Sequence, residues 1–407
     1  MNTYKIHTLT NGLRIVHLPQ KGAVSYCGVI VNTGSRDEDA NEQGMAHLIE
    51  HMLFKGTEKR KSAQIIERLE SVGGEMNAYT TKEETVVYAA FLNKYTERAV
   101  ELISDVILRS KFPKEELQKE IVIVQDEIES YNDSPSELIF DDFEEMLFDS
   151  HPMAHNILGT KKQLKSFSSD KLKSFFQSHY KTEEMVFFSA GNAKFEKIVS
   201  MCEKYFVQTQ SQTSAQKRIT PKIQPQPNKT IKRKTNQVHC LMGGEAYNFH
   251  HQDRLALYLL NNILGGPGMS SLLNLSLREK HGLVYTVESI YQPFTDTGWW
   301  AVYFGTDPEN AEKCEKLVKD ELMKLCSVQF SDKKLKQYKV QLMGQMAISS
   351  ENKENMALSL GKSILRYGKF DTLDEIKDKI NKITAEQLQH VANEIFDVEK
   401  LHILKYI

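Results

Sequence analysis

The stretch AHLIEHMLFKGT, residues 46–57, places two histidines four residues apart, with a glutamate directly before the second. On a helix, residues four apart share a face, so His47 and His51 can present two imidazole nitrogens to a single ion, with Glu50 nearly on that face. Imidazole is a good ligand for zinc. The apolar neighbours are equally typical of a core helix that happens to carry two histidines. Within these residues, both interpretations remain open.

A third ligand has to come from elsewhere in the chain. The stretch PKEELQKEIVIVQDEIESYN predicts a helix over 113–131, and it carries Glu120 and Glu127 seven residues apart. Seven residues are about two helical turns, so both carboxylates share a face. The ordinary alternative is that this face is simply exposed to solvent, which is usual for charged residues at this spacing.

The composition is that of a globular protein. The length of 407 residues indicates two to four domains. The fractions of hydrophobic residues, 40%, and of charged residues, 26%, lie in the range of globular chains with buried cores. The formal net charge of -2 provides no overall field to attract nucleic acid, so no nucleic-acid partner is expected. No secretory signal pattern and no run of about 18 apolar residues is visible, so a membrane span is not expected either. Five scattered cysteines without a CxxC pair favour reduced thiols and a cytoplasmic location.

The order of predicted strands and helices indicates an α+β chain with an internal repeat. Residues 1–206 form one predicted domain, and 207–236, rich in Gln, Thr, Pro and Lys, reads as a linker. From 237 to 407 the order of elements starts again, which suggests duplication of a whole domain. Aligning Leu53 with Leu264 places Tyr258, Asn261 and Asn262 where the first half has His47, Glu50 and His51. Only one half, the first, could then hold a metal ion.

Further motifs extend the pattern along the chain. Glu127 follows His51 by 76 residues, and the other motifs are GGEMNAYTTKEETVVY (73–88), DSHPMAHNILGT (149–160), GGPGMSS (265–271) and REKHGLVYTV (278–287). In combination they resemble the inverted-zinc-motif (HxxEH) metallopeptidases, the family of pitrilysin, insulysin and mitochondrial processing peptidase, in its short two-domain bacterial-type branch. The resemblance implies two homologous α+β domains. Each would be a mostly antiparallel sheet with helices packed on one face, and together they would form a clamshell half.

The resemblance also implies roles for individual residues. His47, His51 and Glu127 would bind one Zn²⁺ per chain, Glu50 would be the general base, and Glu120 would support a ligand or its water. Arg278 and Tyr285 would donate hydrogen bonds to the developing oxyanion. Without the family, those two residues read as an exposed arginine at a helix end and a half-buried strand tyrosine.

The same resemblance predicts where a substrate binds. Residues 77–80 would form a strand edge beside the metal that accepts an extended peptide as an added strand. The residues concerned are Asn77, Ala78, Tyr79 and Thr80.

The sequence therefore predicts a zinc-dependent endopeptidase that hydrolyses peptides or unfolded segments within an enclosed chamber. Short members of the family pair, so a homodimer is expected. The alternative is a noncatalytic or partner-dependent subunit of a processing-peptidase-like complex, because the family includes chains that kept the fold and lost the metal. Such chains typically lack a ligand or the base, whereas all four of these positions are occupied here.

Overall fold

The structure is a computed structural model that describes residues 4–207, 218–224 and 227–407. The chain forms two compact units, each built from segments that are separate in sequence. Unit 1 comprises Met1–Glu129, His155–Arg218 and Ser349–Phe370, and unit 2 comprises Ser130–Ala154, Ile219–Ile348 and Asp371–Ile407.

Unit 1 is organised around a six-stranded sheet. Its strands are β1 (Lys5–Thr8), β2 (Arg14–Pro19), β3 (Val24–Val31), β4 (Glu75–Thr80), β5 (Thr85–Leu92) and β6 (Met185–Gly191). They lie in the order β1-β2-β6-β3-β5-β4, with β2 and β6 parallel and the other pairs antiparallel. Central strands such as β3 and β6 are buried along almost their whole length, as their apolar runs predict. β4 lies at the end of this order and pairs with β5 alone among the described strands.

Unit 2 repeats this topology with five strands. They are β7 (Lys229–Ile231), β8 (Val238–Glu245), β9 (Val284–Pro293), β10 (Gly298–Thr306) and β11 (His402–Tyr406), in the order β7-β11-β8-β10-β9. This order corresponds strand by strand to the order β2-β6-β3-β5-β4 in unit 1. The parallel pair β7–β11 lies at the same place in its sheet as the parallel pair β2–β6. The predicted pair of α+β domains with mostly antiparallel sheets is confirmed.

Fourteen α-helices surround the sheets in the described part of the chain. They are α1 (Met45–Met52), α2 (Ser62–Glu70), α3 (Thr96–Arg109), α4 (Lys114–Asn132), α5 (Pro135–Phe148), α6 (Lys161–Leu164), α7 (Ser169–His179), α8 (Phe195–Tyr205), α9 (Arg254–Gly265), α10 (Ala311–Ser327), α11 (Asp332–Ser350), α12 (Lys353–Tyr367), α13 (Leu373–Lys382) and α14 (Ala385–Ile395). No described helix is both long and apolar enough to cross a bilayer.

Most helices of each unit cover one face of its sheet, as predicted, but one helix covers the other face. In unit 1 that helix is α12, whose Leu360 and Ile364 pack against Phe188 and its neighbours. Gly361 allows this close approach, since a Cβ there would lie 2.7 Å from a ring carbon of Phe188. In unit 2 the helix is α5, whose Phe143 packs against Trp299.

The compact units therefore differ from the predicted boundaries 1–206 and 237–407. Helix α12 is encoded in the second half and packs in unit 1, whereas α5 is encoded in the first half and packs in unit 2. The predicted linker, 207–236, lies partly outside the described residues. Within the described part, Arg218 pairs with Asp37 of unit 1 at 2.7 Å and β7 adds a strand to the second sheet.

Candidate metal centre and active site

Helix α1 is a core helix and a carrier of polar groups at the same time. Its apolar side chains, such as Leu48 and Ile49, are fully buried in the core of unit 1, while His47, Glu50 and His51 are partly exposed along the other face. Amphipathic helices divide their faces in this way. The two interpretations of the sequence are thus compatible, because the apolar face anchors the helix and leaves the polar face available.

The start of α1 is held by a carboxylate that the sequence reasoning missed. The buried Glu38 accepts hydrogen bonds from the backbone N–H groups of Gly44 (2.9 Å) and Ala46 (2.8 Å), donors that a helix N-terminus otherwise leaves unpaired. Gly44 adopts a positive φ of 90°, and a Cβ there would lie 2.7 Å from the carbonyl oxygen of Leu158. Both features fix the position from which His47 projects.

The structure brings His47, His51 and Glu127 together. Oε2 of Glu127 lies 3.8 Å from Nε2 of His47 and 3.6 Å from Nε2 of His51. Two ligands about 2.0 Å from a tetrahedral zinc ion are separated by about 3.3 Å, so Glu127 already lies close to the spacing that a shared ion requires from each histidine. They form the one group of three possible metal ligands found among the described residues.

Protonation also favours metal binding at this group. Burial, together with the neighbouring His51, lowers the pKa of His47 to about 3. The imidazole is therefore neutral at physiological pH, and a neutral imidazole is the form that binds metal. With two nitrogen donors and one carboxylate oxygen, the set fits zinc and leaves a fourth position for water.

Glu50 lies beside these ligands with one oxygen engaged. The hydroxyl of Thr80 donates a hydrogen bond of 2.7 Å to Oε2 of Glu50. Burial raises the pKa of the Glu50 carboxyl, and the Thr80 hydrogen bond opposes that shift. A raised pKa brings a carboxylate closer to the range in which it can both accept and return a proton.

Glu120 lies behind His51. Its Oε2 is 3.1 Å from Nδ1 of His51, and its side chain is only 4% exposed. Its other oxygen, Oε1, is 2.7 Å from Nζ of Lys55, another residue that the sequence reasoning passed over. Lys55 follows His51 by four residues, which is the one signal in the sequence that it could lie near this group.

The predicted peptide-binding residues 77–80 lie on β4, and their side chains alternate between the two faces of the sheet. Ala78 packs towards the core that contains α1, and Thr80 reaches Glu50 on the same face. Tyr79 points the other way, where its ring lies beside Tyr88 and below Nζ of Lys362. Asn77 shares the face of Tyr79, since residues two apart on a strand point the same way. The edge of β4 that no described strand pairs with therefore offers backbone groups. Of the four predicted residues, Ala78 and Thr80 direct their side chains to the face on which α1 lies.

Unit 2 has a polar cavity at the corresponding place. Two hydrogen bonds join Asn261 of α9 to Ser289 of β9. The side-chain amide of Asn261 donates to the backbone carbonyl oxygen of Ser289 (2.8 Å), and the hydroxyl of Ser289 donates to Oδ1 of Asn261 (2.5 Å). This pair repeats the link between Glu50 and Thr80, which supports the predicted alignment of the halves. The adjacent cavity of about 370 Å³ is lined by Tyr258, Asn262 and the two predicted oxyanion donors, among other residues.

The side chains of Arg278 and Tyr285, the two predicted oxyanion donors, are exposed. The Arg278 side chain forms no hydrogen bond or ion pair with any residue in the described ranges, and Tyr285 is 80% exposed. Tyr285 is thus more exposed than the half-buried strand residue that the sequence alone suggested. Both belong to unit 2, whereas the histidines belong to unit 1.

Comparison with known proteins assigns the family. Residues 15–161 match the family model for insulinase (peptidase family M16), and residues 166–342 match the model for the peptidase M16 inactive domain. The uncharacterized zinc protease YmxG of Bacillus subtilis (strain 168) is 32% identical over 394 residues, which cover 96% of this chain and 95% of that relative. The chain belongs to the insulinase family, peptidase family M16. The predicted family is confirmed, and the length of 407 residues fits its short two-domain branch.

Further proteins are similar to this chain over almost its whole length. An uncharacterized zinc protease of Rickettsia felis is 31% identical over 395 residues, covering 97% of this chain and 95% of that protein. The crystal structure of a protease from Helicobacter pylori superposes with a TM-score of 0.92 at 21% identity, covering 100% and 99% of the two chains. A peptidase M16 inactive domain from Pseudomonas fluorescens gives 0.90 at 22% identity, covering 99% and 98%. At these identities the structures support the shared fold alone.

Proposed function

We propose that this member of the insulinase family is a zinc-dependent endopeptidase that hydrolyses peptides or unfolded segments. The observation that carries the proposal is the convergence of His47, His51 and Glu127 on one point, with Glu50 beside them. Two relatives named zinc proteases are 31% and 32% identical to this chain, over 97% and 96% of its length. The single ligand group in the described ranges supports the proposal of one ion per chain.

His47, His51 and Glu127 would hold the ion, which supplies a Lewis acid that acidifies a bound water. Glu50 takes the proton from the attacking water and returns it to the leaving amine, while Thr80 keeps the carboxylate oriented. The free edge of β4 pairs with an extended peptide through backbone hydrogen bonds. Arg278 and Tyr285 donate to the oxyanion that develops on the scissile carbonyl. An enclosed chamber, a homodimer and a cytoplasmic location remain predictions from the sequence.

A second candidate is a noncatalytic or partner-dependent subunit. It is favoured by one observation, the match of residues 166–342 to the family model for the peptidase M16 inactive domain. Against it stands the complete set of proposed ligands and base in unit 1.

The test is to incubate the purified protein with a library of unstructured peptides, with and without a zinc chelator, beside Glu50→Gln. We expect cleavage by the zinc-loaded protein, loss with chelator, recovery on adding zinc, and no cleavage by Glu50→Gln with one zinc still bound. Cleavage that survives chelation or Glu50→Gln contradicts the mechanism. A protein that binds one zinc and cleaves nothing supports the subunit instead.

A further inference from the structure

Three side chains form a continuous polar chain that leads away from the proposed metal ligands. Nδ1 of His51 lies 3.1 Å from Oε2 of Glu120, and Nζ of Lys55 lies 2.7 Å from Oε1 of the same carboxylate. We propose that Lys55 is a positioning residue that holds Glu120 as the hydrogen-bond acceptor for His51, and so fixes which imidazole nitrogen faces the metal. This inference rests on the proposed zinc site.

Burial makes the position of the Glu120 carboxylate depend on Lys55. The Glu120 side chain is only 4% exposed, so in the folded protein its oxygens depend on protein partners for their hydrogen bonds. A buried carboxylate is stable only when its oxygens are paired, and here His51 pairs one oxygen while Lys55 pairs the other. Without Lys55, the carboxylate would turn towards water to satisfy Oε1, and that rotation would remove Oε2 from His51.

The orientation of Glu120 in turn decides the tautomer of His51. A carboxylate accepts a hydrogen bond, so its partner at 3.1 Å must be an Nδ1–H group. The lone pair then lies on Nε2, which is the atom that faces Glu127 at 3.6 Å. Carboxylates behind metal-bound histidines set the ring orientation in this way.

The other histidine lacks such support. Nδ1 of His47 is buried and has no hydrogen-bond partner in the part of the chain that the structure describes. Of the two proposed histidine ligands, His51 is therefore the one whose ring this chain orients through a carboxylate. The polar chain through Lys55 thus acts on a single ligand.

A purely electrostatic role for Lys55 predicts the opposite result. If Lys55 acted only as a positive charge near a cation site, its removal would strengthen zinc binding by reducing repulsion. If it positions Glu120, its removal weakens zinc binding. The direction of the change therefore separates the two roles.

The experiment compares full-length wild type with Lys55→Met, Lys55→Gln, Lys55→Arg and the control Lys59→Met. Lys59 is an exposed lysine four residues further on, with no ion pair in the described structure. Zinc affinity is measured by competition with a chromophoric chelator. We expect zinc dissociation constants about 10- to 100-fold higher for Lys55→Met, in the range seen when such supporting groups are lost. Lys55→Gln, which keeps a donor without the charge, is expected between Lys55→Met and wild type, and Lys55→Arg and Lys59→Met close to wild type.

A second readout does not depend on metal or activity. In the metal-free protein labelled with ¹⁵N-histidine, the ring signals of His51, assigned by their loss in His51→Gln, are expected to show a single Nδ1–H tautomer. In Lys55→Met the ring signals of His51 are expected to show a mixture of tautomers. In Lys55→Arg they are expected to show the single Nδ1–H tautomer of the wild type. Circular dichroism confirms that each variant is folded, and if Lys55→Met is not, Lys55→Gln carries the comparison.

Unchanged or tighter zinc binding in Lys55→Met, or an unchanged tautomer, overturns the inference. Both readouts are independent of peptide cleavage. A wild-type protein that binds zinc and cleaves nothing would thus contradict the proposed function while leaving the role of Lys55 measurable.

Discussion

Thr80, on the edge strand β4, donates a hydrogen bond of 2.7 Å to the carboxylate of Glu50 on helix α1. The strand proposed to bind the peptide is thereby tied directly to the proposed general base. In the proposed mechanism, this one hydroxyl group couples the position of the peptide to the orientation of the group that activates water.

Thr80→Val should lower kcat more than it raises KM. Removing a hydrogen bond to a charged group costs about 1.5–3 kcal/mol, which would correspond to a decrease in kcat of roughly 10- to 160-fold. Steady-state kinetics on a peptide that the wild type cleaves measures this, with Thr80→Ser as the control that keeps the hydroxyl. A wild-type kcat for Thr80→Val would show that the hydrogen bond from Thr80 does not contribute to the action of Glu50.

Glu127→Gln should abolish stoichiometric zinc binding. An amide oxygen carries no charge and is a weak zinc ligand, so we expect the zinc dissociation constant to rise at least about 100-fold. Metal analysis after dialysis gives the stoichiometry. The matched control is Glu129→Gln, because Glu129 lies on the same helix and pairs with Lys161 instead. Equal zinc loss in both variants would point to unfolding of α4.

Arg278→Ala should reduce kcat/KM without changing zinc content. Loss of one donor to an oxyanion typically costs about 10²- to 10³-fold in rate. Lys280→Ala is the control, since Lys280 is exposed and two residues away. If both variants keep wild-type kinetics, Arg278 is only a surface residue, as its exposure alone would suggest.

His17 should make the free energy of unfolding depend on pH. It lies on β2 and is not one of the proposed active-site residues. Burial lowers the pKa of His17, whose Nδ1 lies 2.8 Å from the hydroxyl oxygen of Ser189. Its contribution to the free energy of unfolding is therefore complete above pH 6.5 and is lost as the pH falls below 6.5 towards the lowered pKa. The loss is at most about 1.4 kcal/mol per pH unit.

The measurement is urea unfolding of metal-free wild type and His17→Gln at pH 7.5 and pH 5.5. The difference between the two proteins removes the contributions of other titrating groups. Wild type should lose more stability than His17→Gln on acidification. Identical losses would mean that His17 titrates normally in the folded protein.

Part of the candidate site was predictable because helix geometry links spacing to a shared face. That rule places His47 and His51 together, and Glu120 with Glu127. It says nothing about the contact between the two helices, so Glu127 was assigned through the resemblance to a family. Glu38 and Lys55 were missed because their partners, Gly44 and Glu120, meet them through tertiary packing and not through a periodic pattern.

The fold shows the same limit. Alternating strands and amphipathic helices predicted two α+β domains, and the repeated strand order agrees. The spacing of apolar residues in α12 indicates that one face of the helix is buried, but it does not indicate which of the two sheets that face packs against. Whether a helix packs on the sheet nearest in sequence depends on shape, here on Gly361 fitting against Phe188.

The exchange of α5 and α12 has a consequence for synthesis of the chain on the ribosome. The sheet of unit 1 ends with β6 at Gly191, yet the helix that covers its second face is complete only at Tyr367, near the end of a chain of 407 residues. That face, with Ile30, Val86 and Phe188, stays uncovered while nearly half of the protein is still being translated. The nascent chain must therefore keep an apolar sheet from aggregating until α12 emerges, so truncation before residue 367 should be more damaging than its distance from the histidines implies.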